Sequence, residues 1–159
     1  MEKLFEEYLA LLRDCHNGIL KALDGLPMEA LDWSPGPEMN SLSVLVFHTT
    51  GSERYWIGDV AMDESSNRDR AAEFAVRGVT TEVLKKRLDD ALAYAREALG
   101  RLSIGDLGAS RMDKPNGRTV TVAWAVLHAL EHASVHLGHI QITRDLWKQG
   151  QAVGKDSSS

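Results

Sequence analysis

The sequence predicts an all-α protein, a four-helix bundle whose helices are joined by long connections. In four separate stretches, apolar residues recur at alternating spacings of three and four, which is the periodicity of an amphipathic helix. No stretch shows convincing strand-like alternation, and four helices of similar length are typical of a bundle. Two connections are long, so the chain need not follow a simple up-down-up-down path.

The first helix is expected over residues 2–26. Gly25 and Pro27 mark its end, because neither residue continues a helix well. Residues 27–33 can add a short helical turn, and the two prolines and one glycine of residues 34–37 predict a loop. The buried seam of this first helix is expected to contain Phe5, Leu9, Leu12, His16, Ile19, Leu23 and Leu26.

Two further helices are expected on either side of a polar connection. The second runs over residues 41–60, with Ser41 as its N-cap. Residues 62–78 are polar and charged, which predicts a long connection with at most one short helix. The third helix, over residues 80–102, begins with two threonines, either of which can cap it. Its seam is expected to contain Leu84, Leu88, Ala91, Ala95 and Leu99.

The fourth helix is the longest and follows a second long connection. Residues 103–118 are expected to form a loop, with a tight turn at the Asn-Gly pair 116–117. A minimal hairpin with Met112 and Val120 on either side of this turn is the alternative. The fourth helix is expected over residues 119–148, and at about 1.5 Å per residue it can cross the whole domain.

Length and composition indicate one globular domain. The chain has 159 residues, of which 43% are hydrophobic and 26% charged, enough for one compact domain with a sizeable core. We expect a single four-helix-bundle domain over residues 1–149. Residues 150–159 are polar, and we expect them to form a disordered tail.

Charge and cysteine content exclude several classes of partner. The net charge is −5 and no lysine- or arginine-rich stripe is present, which argues against nucleic acid and anionic membranes. No apolar stretch is long enough to span a bilayer. Cys15 is the single cysteine, so no internal disulfide can form, as in a reducing compartment. The N-terminus lacks the features of a signal peptide, and we expect a cytoplasmic protein with a small-molecule substrate.

Four of the six histidines share one stripe of the fourth helix: His128, His132, His136 and His139. At about 100° per residue they fall within roughly 80° of one another. Buried imidazoles need partners, and several protonated ones would repel, so a metal ion satisfies both requirements. The competing interpretation is a set of ordinary surface or core histidines. The stripe spans roughly 16 Å, so the four cannot share one ion, and the pairs 128/132, 132/136 and 136/139 remain open.

A third ligand would have to come from His48 or His16. His16 replaces a seam residue of the first helix, which favours a core or pocket-lining imidazole, whereas His48 lies between apolar positions. Three protein ligands with an open coordination position are typical of a catalytic metal site. The sequence contains no His-Glu-x-x-His, Glu-x-x-His or Cys-x-x-Cys motif and no glycine-rich phosphate loop.

Three segments together resemble the DinB-like (DinB/YfiT) family of metal-binding four-helix bundles. Residues 40–48, Asn-Ser-Leu-Ser-Val-Leu-Val-Phe-His, are similar to the opening of the family's second helix, which ends in its first histidine ligand. Residues 131–140 match the family's Glu-His-x-x-x-His-x-Gly-(Gln/His)-Ile segment, and residues 33–35, Trp-Ser-Pro, match a short motif after the first helix. The resemblance covers nearly the whole chain.

The resemblance implies a ligand set. The family's three ligands fall on His48, His132 and His136, which selects one of the three open pairs. His139 stands where the family often has glutamine and is therefore expected beside the site, and His128 is assigned no ligand role. The expected ion is one divalent transition metal, zinc or nickel. Independently of the resemblance, Ser52, Tyr55 and His139 are expected near the ion, where they can orient substrate. Glu131 either orients an imidazole or is a solvated charge on the helix face.

The resemblance also implies candidate functions. Some members are similar to S-transferases or isomerases that activate a low-molecular-weight thiol (bacillithiol, mycothiol or glutathione) at the metal, so we expect a metal-dependent transferase acting on a small electrophile. The alternatives are a metal-dependent hydrolase that activates water and a non-catalytic stress-response or binding module with a structural metal. A homodimer is expected, and Trp56, Trp124 and Trp147 are candidates either for its interface or for the core.

Overall fold

The computed structural model describes residues 1–156, with side chains described as far as residue 151. The predicted helical bundle with long connections is confirmed. Four long helices and two short ones form the described part of the chain: α1 (Lys3–Leu23), α2 (Met28–Asp32), α3 (Leu42–Arg54), α4 (Arg70–Ala75), α5 (Thr81–Gly100) and α6 (Val122–Asp156). None of them combines the length and hydrophobicity that crossing a membrane requires.

Local chemistry fixes several helix boundaries. The Ser41 hydroxyl accepts a hydrogen bond from the backbone N–H of Val44 at 3.3 Å, which satisfies one donor at the start of α3. The first helix ends at Leu23 rather than residue 26, because Gly25 adopts a positive φ of 68° that helical geometry does not allow. The predicted second helix continues from α3 as a π-helical segment, Tyr55–Ala61. Wider turns of this kind are frequent at functional sites.

The connection before α6 differs from the predicted loop. A 3₁₀ turn, Ile104–Gly108, precedes β1 (Ser110–Asp113), which pairs antiparallel with β2 (Arg118–Thr121). The loop prediction was therefore wrong, and the hairpin alternative holds. Gly117 closes the turn with a φ of 61°, a conformation that glycine adopts without strain.

A buried carboxylate anchors the hairpin to the π-helical segment. The Asp113 carboxylate accepts hydrogen bonds from the Tyr55 hydroxyl at 2.7 Å and from the side chains of Asn116 and Arg118. Burial by itself would raise the pKa of Asp113, but these three donors outweigh burial and lower it. The hairpin therefore holds Tyr55 from one side, a contact that sequence periodicity does not report.

The last helix is longer than the sequence predicts. α6 extends to Asp156, beyond the predicted end at residue 148, and covers part of the segment expected to be disordered. Residues 157–159 lie outside the described residues. The division into a domain over 1–149 and a tail over 150–159 stays a prediction.

The core consists of two hydrophobic clusters. One contains Phe5, Leu9, Leu12, Trp56, Ile57, Leu99, Ala129 and Ala133, and the other contains Ile19, Leu23, Leu42, Leu45, Leu84, Leu88 and Ile140. On α1, α3 and α6 the residues between these clusters include histidines. We call His16, His48, Glu53, His132 and His136 the polar layer. The metal-site candidates thus lie within the bundle, where their ring nitrogens need partners.

Candidate metal centre

Three histidines from two helices converge within the polar layer. His48 belongs to α3, whereas His132 and His136 lie one turn apart on α6 and therefore share a face. One ring nitrogen of each residue lies within 4.8 Å of the others. The ring centroid of His48 is 5.0 Å from both α6 rings, which are 4.3 Å apart.

The donor atoms fit a transition-metal ion. The Nε2 atoms of His132 and His136 are 3.2 Å apart. Two nitrogens bound tetrahedrally to one zinc ion at 2.0–2.1 Å would lie about 3.3 Å apart. The buried Nδ1 of His132 has no hydrogen-bond partner among the described residues. Imidazole also suits nickel and iron, so the donor set indicates a transition metal without choosing one.

Both α6 histidines remain neutral at physiological pH, as metal ligands must. Burial, together with the proximity of His136 and His48, lowers the pKa of His132 to about 3. Burial and the neighbouring His48 and His139 lower the pKa of His136 to about 4. Neutral imidazoles keep their lone pairs for a cation and leave its positive charge undiminished.

A buried carboxylate contacts the third histidine. Oε2 of Glu73, on α4, lies 3.3 Å from Nδ1 of His48, which is within hydrogen-bonding distance. The two oxygens of Glu73 also accept hydrogen bonds from Arg68 at 2.6 and 2.7 Å. Burial alone would raise the pKa of Glu73, but the hydrogen bonds from Arg68 and His48 outweigh it and lower the pKa, so this carboxylate is ionised.

A cavity of about 770 Å³ opens beside the histidines, and His48 and His132 form part of its wall. The π-helical segment contributes Tyr55 and Trp56 to the lining. Much of the remaining lining is polar, and includes Ser52, Asn67, Arg68, Arg70 and Asn116. A polar small molecule in this cavity would therefore find hydrogen-bond partners beside His48 and His132.

The other sequence candidates fall into four environments. Ser52 and Tyr55 line the cavity, as expected of substrate-contacting residues. His139 lies beside the group, with its Nδ1 3.3 Å from Nδ1 of His136. Glu131 is exposed and pairs with His128 at 2.8 Å rather than with one of the three converging histidines. In the core, His16 pairs with Glu53 at 2.8 Å, in agreement with the interpretation of His16 as a core imidazole.

Sequence reasoning missed the Glu73–Arg68 pair. Both residues lie within residues 62–78, for which the sequence predicts a long connection with at most one short helix. A carboxylate and a guanidinium five positions apart in a charged segment have no periodic signature. The one available signal was Gly51 in the middle of the second helix, where a glycine often marks the close approach of another group.

Comparison with known proteins identifies one matching family. A family model described as Mycothiol-S-transferase matches residues 7–149. No curated protein matches the chain in sequence.

Several solved structures share the fold. A DinB-like protein from Bacillus cereus is 17% identical with a TM-score of 0.70, and the match covers 92% of each chain. YfiT from Bacillus subtilis, described as a probable metal-dependent hydrolase with an unusual four-helix bundle topology, is 13% identical with a TM-score of 0.72, covering 90% of this chain and 87% of YfiT. The mycothiol-dependent maleylpyruvate isomerase is 16% identical with a TM-score of 0.60, covering 84% of this chain and 59% of that one. At these identities the likeness shows the fold alone.

The stability of the metal-free protein should fall as the pH is lowered through the range of ordinary histidines. His132 and His136 have an unfolded-state pKa of about 6.5 and folded-state values of about 3 and 4. Below that unfolded value the unfolded chain takes up protons that the folded chain does not, so stability is lost as pH falls. Urea unfolding at about pH 7.5 and about pH 5 measures the loss. The double variant His132→Gln/His136→Gln should lose less, and an equal loss in both proteins would contradict the assignment.

Proposed function

The chain belongs to the mycothiol S-transferase family, in agreement with its resemblance to DinB-like proteins, and from that membership we propose that it is a metal-dependent thiol S-transferase. In this proposal His48, His132 and His136 hold one divalent transition-metal ion, zinc or nickel. The cosubstrate is a low-molecular-weight thiol, with mycothiol the first candidate. The observation that carries the proposal is the convergence of three ring nitrogens within 4.8 Å beside a cavity.

The chemistry requires a thiolate. A divalent cation held by His48, His132 and His136 would lower the pKa of a thiol placed against it, so that the thiolate would form at neutral pH. The S–H bond breaks and its proton passes to water. The sulfur then attacks an electrophilic carbon, a C–S bond forms, and the electron pair of the broken bond leaves with the departing group. His132 and His136 contribute by staying neutral, because an anionic ligand would weaken the pull on the thiol.

The cavity wall positions the reactants. Ser52 presents a hydroxyl beside the histidines, and Asn67 and Asn116 present amide groups. The Tyr55 hydroxyl donates a hydrogen bond to the Asp113 carboxylate. Burial and that hydrogen bond raise the pKa of Tyr55 far above its usual value, so Tyr55 stays protonated and can offer its oxygen only as an acceptor. This wall favours a polar thiol with hydroxyl and amide groups over an apolar ligand.

Metal content tests the ligand set. His136→Ala should reduce bound metal from about one equivalent to near zero, because two imidazoles hold a divalent ion much more weakly than three. The matched control is His139→Ala, which removes a neighbouring imidazole but no proposed ligand. Elemental analysis of both purified variants measures the difference. Full metal occupancy in His136→Ala would contradict the proposed ligand set.

Turnover with a chromogenic aryl halide tests the reaction. Zinc-loaded and nickel-loaded protein should consume mycothiol, bacillithiol or glutathione together with the halide, and chelation or His136→Ala should lower the rate more than about 100-fold. Thiol-independent cleavage of an ester substrate would favour the hydrolase alternative. Loss of folding on chelation, without turnover beforehand, would favour the non-catalytic module with a structural ion.

We also propose a cytoplasmic homodimer. The single Cys15 suits a reducing compartment. Leu127, Val135 and Ile142 are exposed along α6, and Trp124 is partly exposed near them. Of the other two tryptophans named from the sequence, Trp56 is buried and Trp147 packs against Trp33, which places both within the protomer.

Light scattering after gel filtration tests the assembly. The expected mass is about twice the 17.5 kDa of the chain. A charge introduced by Ile142→Glu should shift the protein toward the monomer, because a buried unpaired carboxylate opposes association. A monomeric parent protein at micromolar concentration would overturn the homodimer.

A further inference from the structure

Glu73 contacts His48 without belonging to the proposed ligand set. The residue is 5% exposed, and its Oε2 lies 3.3 Å from Nδ1 of His48. Because Glu73 engages Nδ1, Nε2 is the nitrogen of His48 that remains to offer its lone pair to a cation. Glu73 comes from α4, in the connection between α3 and α5, so a third segment of chain acts on a site otherwise built by α3 and α6.

Arg68 fixes the orientation of the Glu73 carboxylate. Its Nε donates to Oε1 at 2.6 Å and its Nη2 donates to Oε2 at 2.7 Å. This two-pronged geometry constrains the plane of the carboxylate as well as its position. Arg68 is itself mostly buried, with 16% of its side chain exposed, so water competes weakly for these hydrogen bonds.

Gly51 provides the space in which the carboxylate sits. It lies on α3 and is buried. A methyl group added at Gly51 would overlap Oε1 of Glu73 and approach its carboxyl carbon to 2.6 Å. Glycine is unfavourable inside a helix, so its presence here is explained by the close approach of Glu73.

The contacts at Nδ1 distinguish two tautomers of His48. In the first, Nδ1–H donates to Glu73 and Nε2 keeps its lone pair. In the second, Nδ1 accepts from Nη2 of Arg68 at 3.4 Å, and the proton sits on Nε2, where it blocks a cation. Nη2 of Arg68 lies 2.7 Å from Oε2 of Glu73 but 3.4 Å from Nδ1 of His48, so its hydrogen bond to Glu73 is the shorter of the two. An ionised carboxylate can only accept, so the first arrangement satisfies every group.

We propose that Glu73 is a positioning residue that holds His48 in its Nδ1–H tautomer, with Arg68 orienting the carboxylate and Gly51 making room for it. The inference rests on the metal site of the proposed function and assigns that site a second layer. Arg68 also lines the cavity, and its guanidinium carbon lies 5.8 Å from the centre of the Tyr55 ring. Arg68 thus contributes both to the orientation of a proposed metal ligand and to the wall of the cavity in which the substrate would bind.

The tautomer can be observed without metal. Long-range ¹H–¹⁵N correlation spectra of the metal-free protein, with the His48 signals assigned by their loss in His48→Gln, report which ring nitrogen carries the proton. We expect the proton on Nδ1 in the parent protein and on Nε2 in Glu73→Gln, because the glutamine amide can donate to Nδ1. A parent protein with the proton on Nε2 would overturn the proposal.

Zinc affinity gives an independent measurement. Glu73→Gln conserves the shape of the side chain but should raise the zinc Kd about 10- to 100-fold, as loss of a partner of a metal-bound histidine typically does. The matched control is Glu64→Gln. Glu64 is held by Arg54, Tyr94 and Arg101 and contacts no histidine among the described residues. This control should leave the Kd within about twofold of the parent protein.

Gly51→Ala tests the same role with no change to any polar group. The added methyl group should displace the carboxylate and raise the zinc Kd in the same direction, while alanine favours the helix itself. If Glu73→Gln does not fold, Gly51→Ala and the tautomer spectra decide the question. An unchanged zinc Kd in folded Glu73→Gln would refute the positioning role but not the metal site. A parent protein that binds neither zinc nor nickel would refute the metal site. The tautomer spectra would then still test whether Glu73 fixes the proton of His48.

Discussion

The need to satisfy polar groups inside a helical bundle governs this structure. Side chains of the polar layer interrupt what would otherwise be one continuous apolar core. His16 and Glu53 solve part of the problem by pairing with each other, although one ring nitrogen and one carboxylate oxygen of that pair remain without a partner among the described residues. The ring nitrogens of His48, His132 and His136 face one another at short range. If these rings were protonated, their positive charges would repel, so the rings stay neutral and their lone pairs lack partners. A single cation between them would give all three lone pairs a partner.

The connections between helices complete this arrangement. The four long helices α1, α3, α5 and α6 bring the three histidines together, but their described residues supply no hydrogen-bond partner for Nδ1 of His48. The connection after α3 supplies that partner, Glu73, together with its clamp Arg68. The hairpin before α6 supplies Asp113, which binds Tyr55 at the start of the π-helical segment. One long connection thus contacts a metal-ligand candidate in the middle of α3, and the other contacts a cavity residue just beyond the end of α3.

The helices could be predicted from the sequence because their signals are periodic and local. Spacing alone put four histidines on one stripe of α6, but it could not choose a pair, since three pairs are compatible with one ion. The choice of His132, His136 and His48 came from resemblance to a family, and the structure brings one ring nitrogen of each within 4.8 Å of the others. The Asn-Gly pair leaves a hairpin as the alternative to a loop, but neither the contact of that hairpin with Tyr55 nor the Glu73–Arg68 pair could be predicted in this way. Their geometry depends on contacts across the fold, such as that of Glu73 with Gly51, which leave no periodic pattern in the chain.

The position of the polar layer bears on whether an ion would hold the fold together or take part in chemistry. An ion that only joined α3 to α6 would be most useful where those helices lack other contacts. Here apolar clusters lie on both sides of the histidines, with Trp56 and Ala133 in one and Leu45 and Ile140 in the other. The helices are therefore joined by apolar contacts without an ion. A group of imidazoles that opens onto a polar cavity supports the proposed reactivity over scaffolding, because proteins depart from good packing chiefly at functional sites.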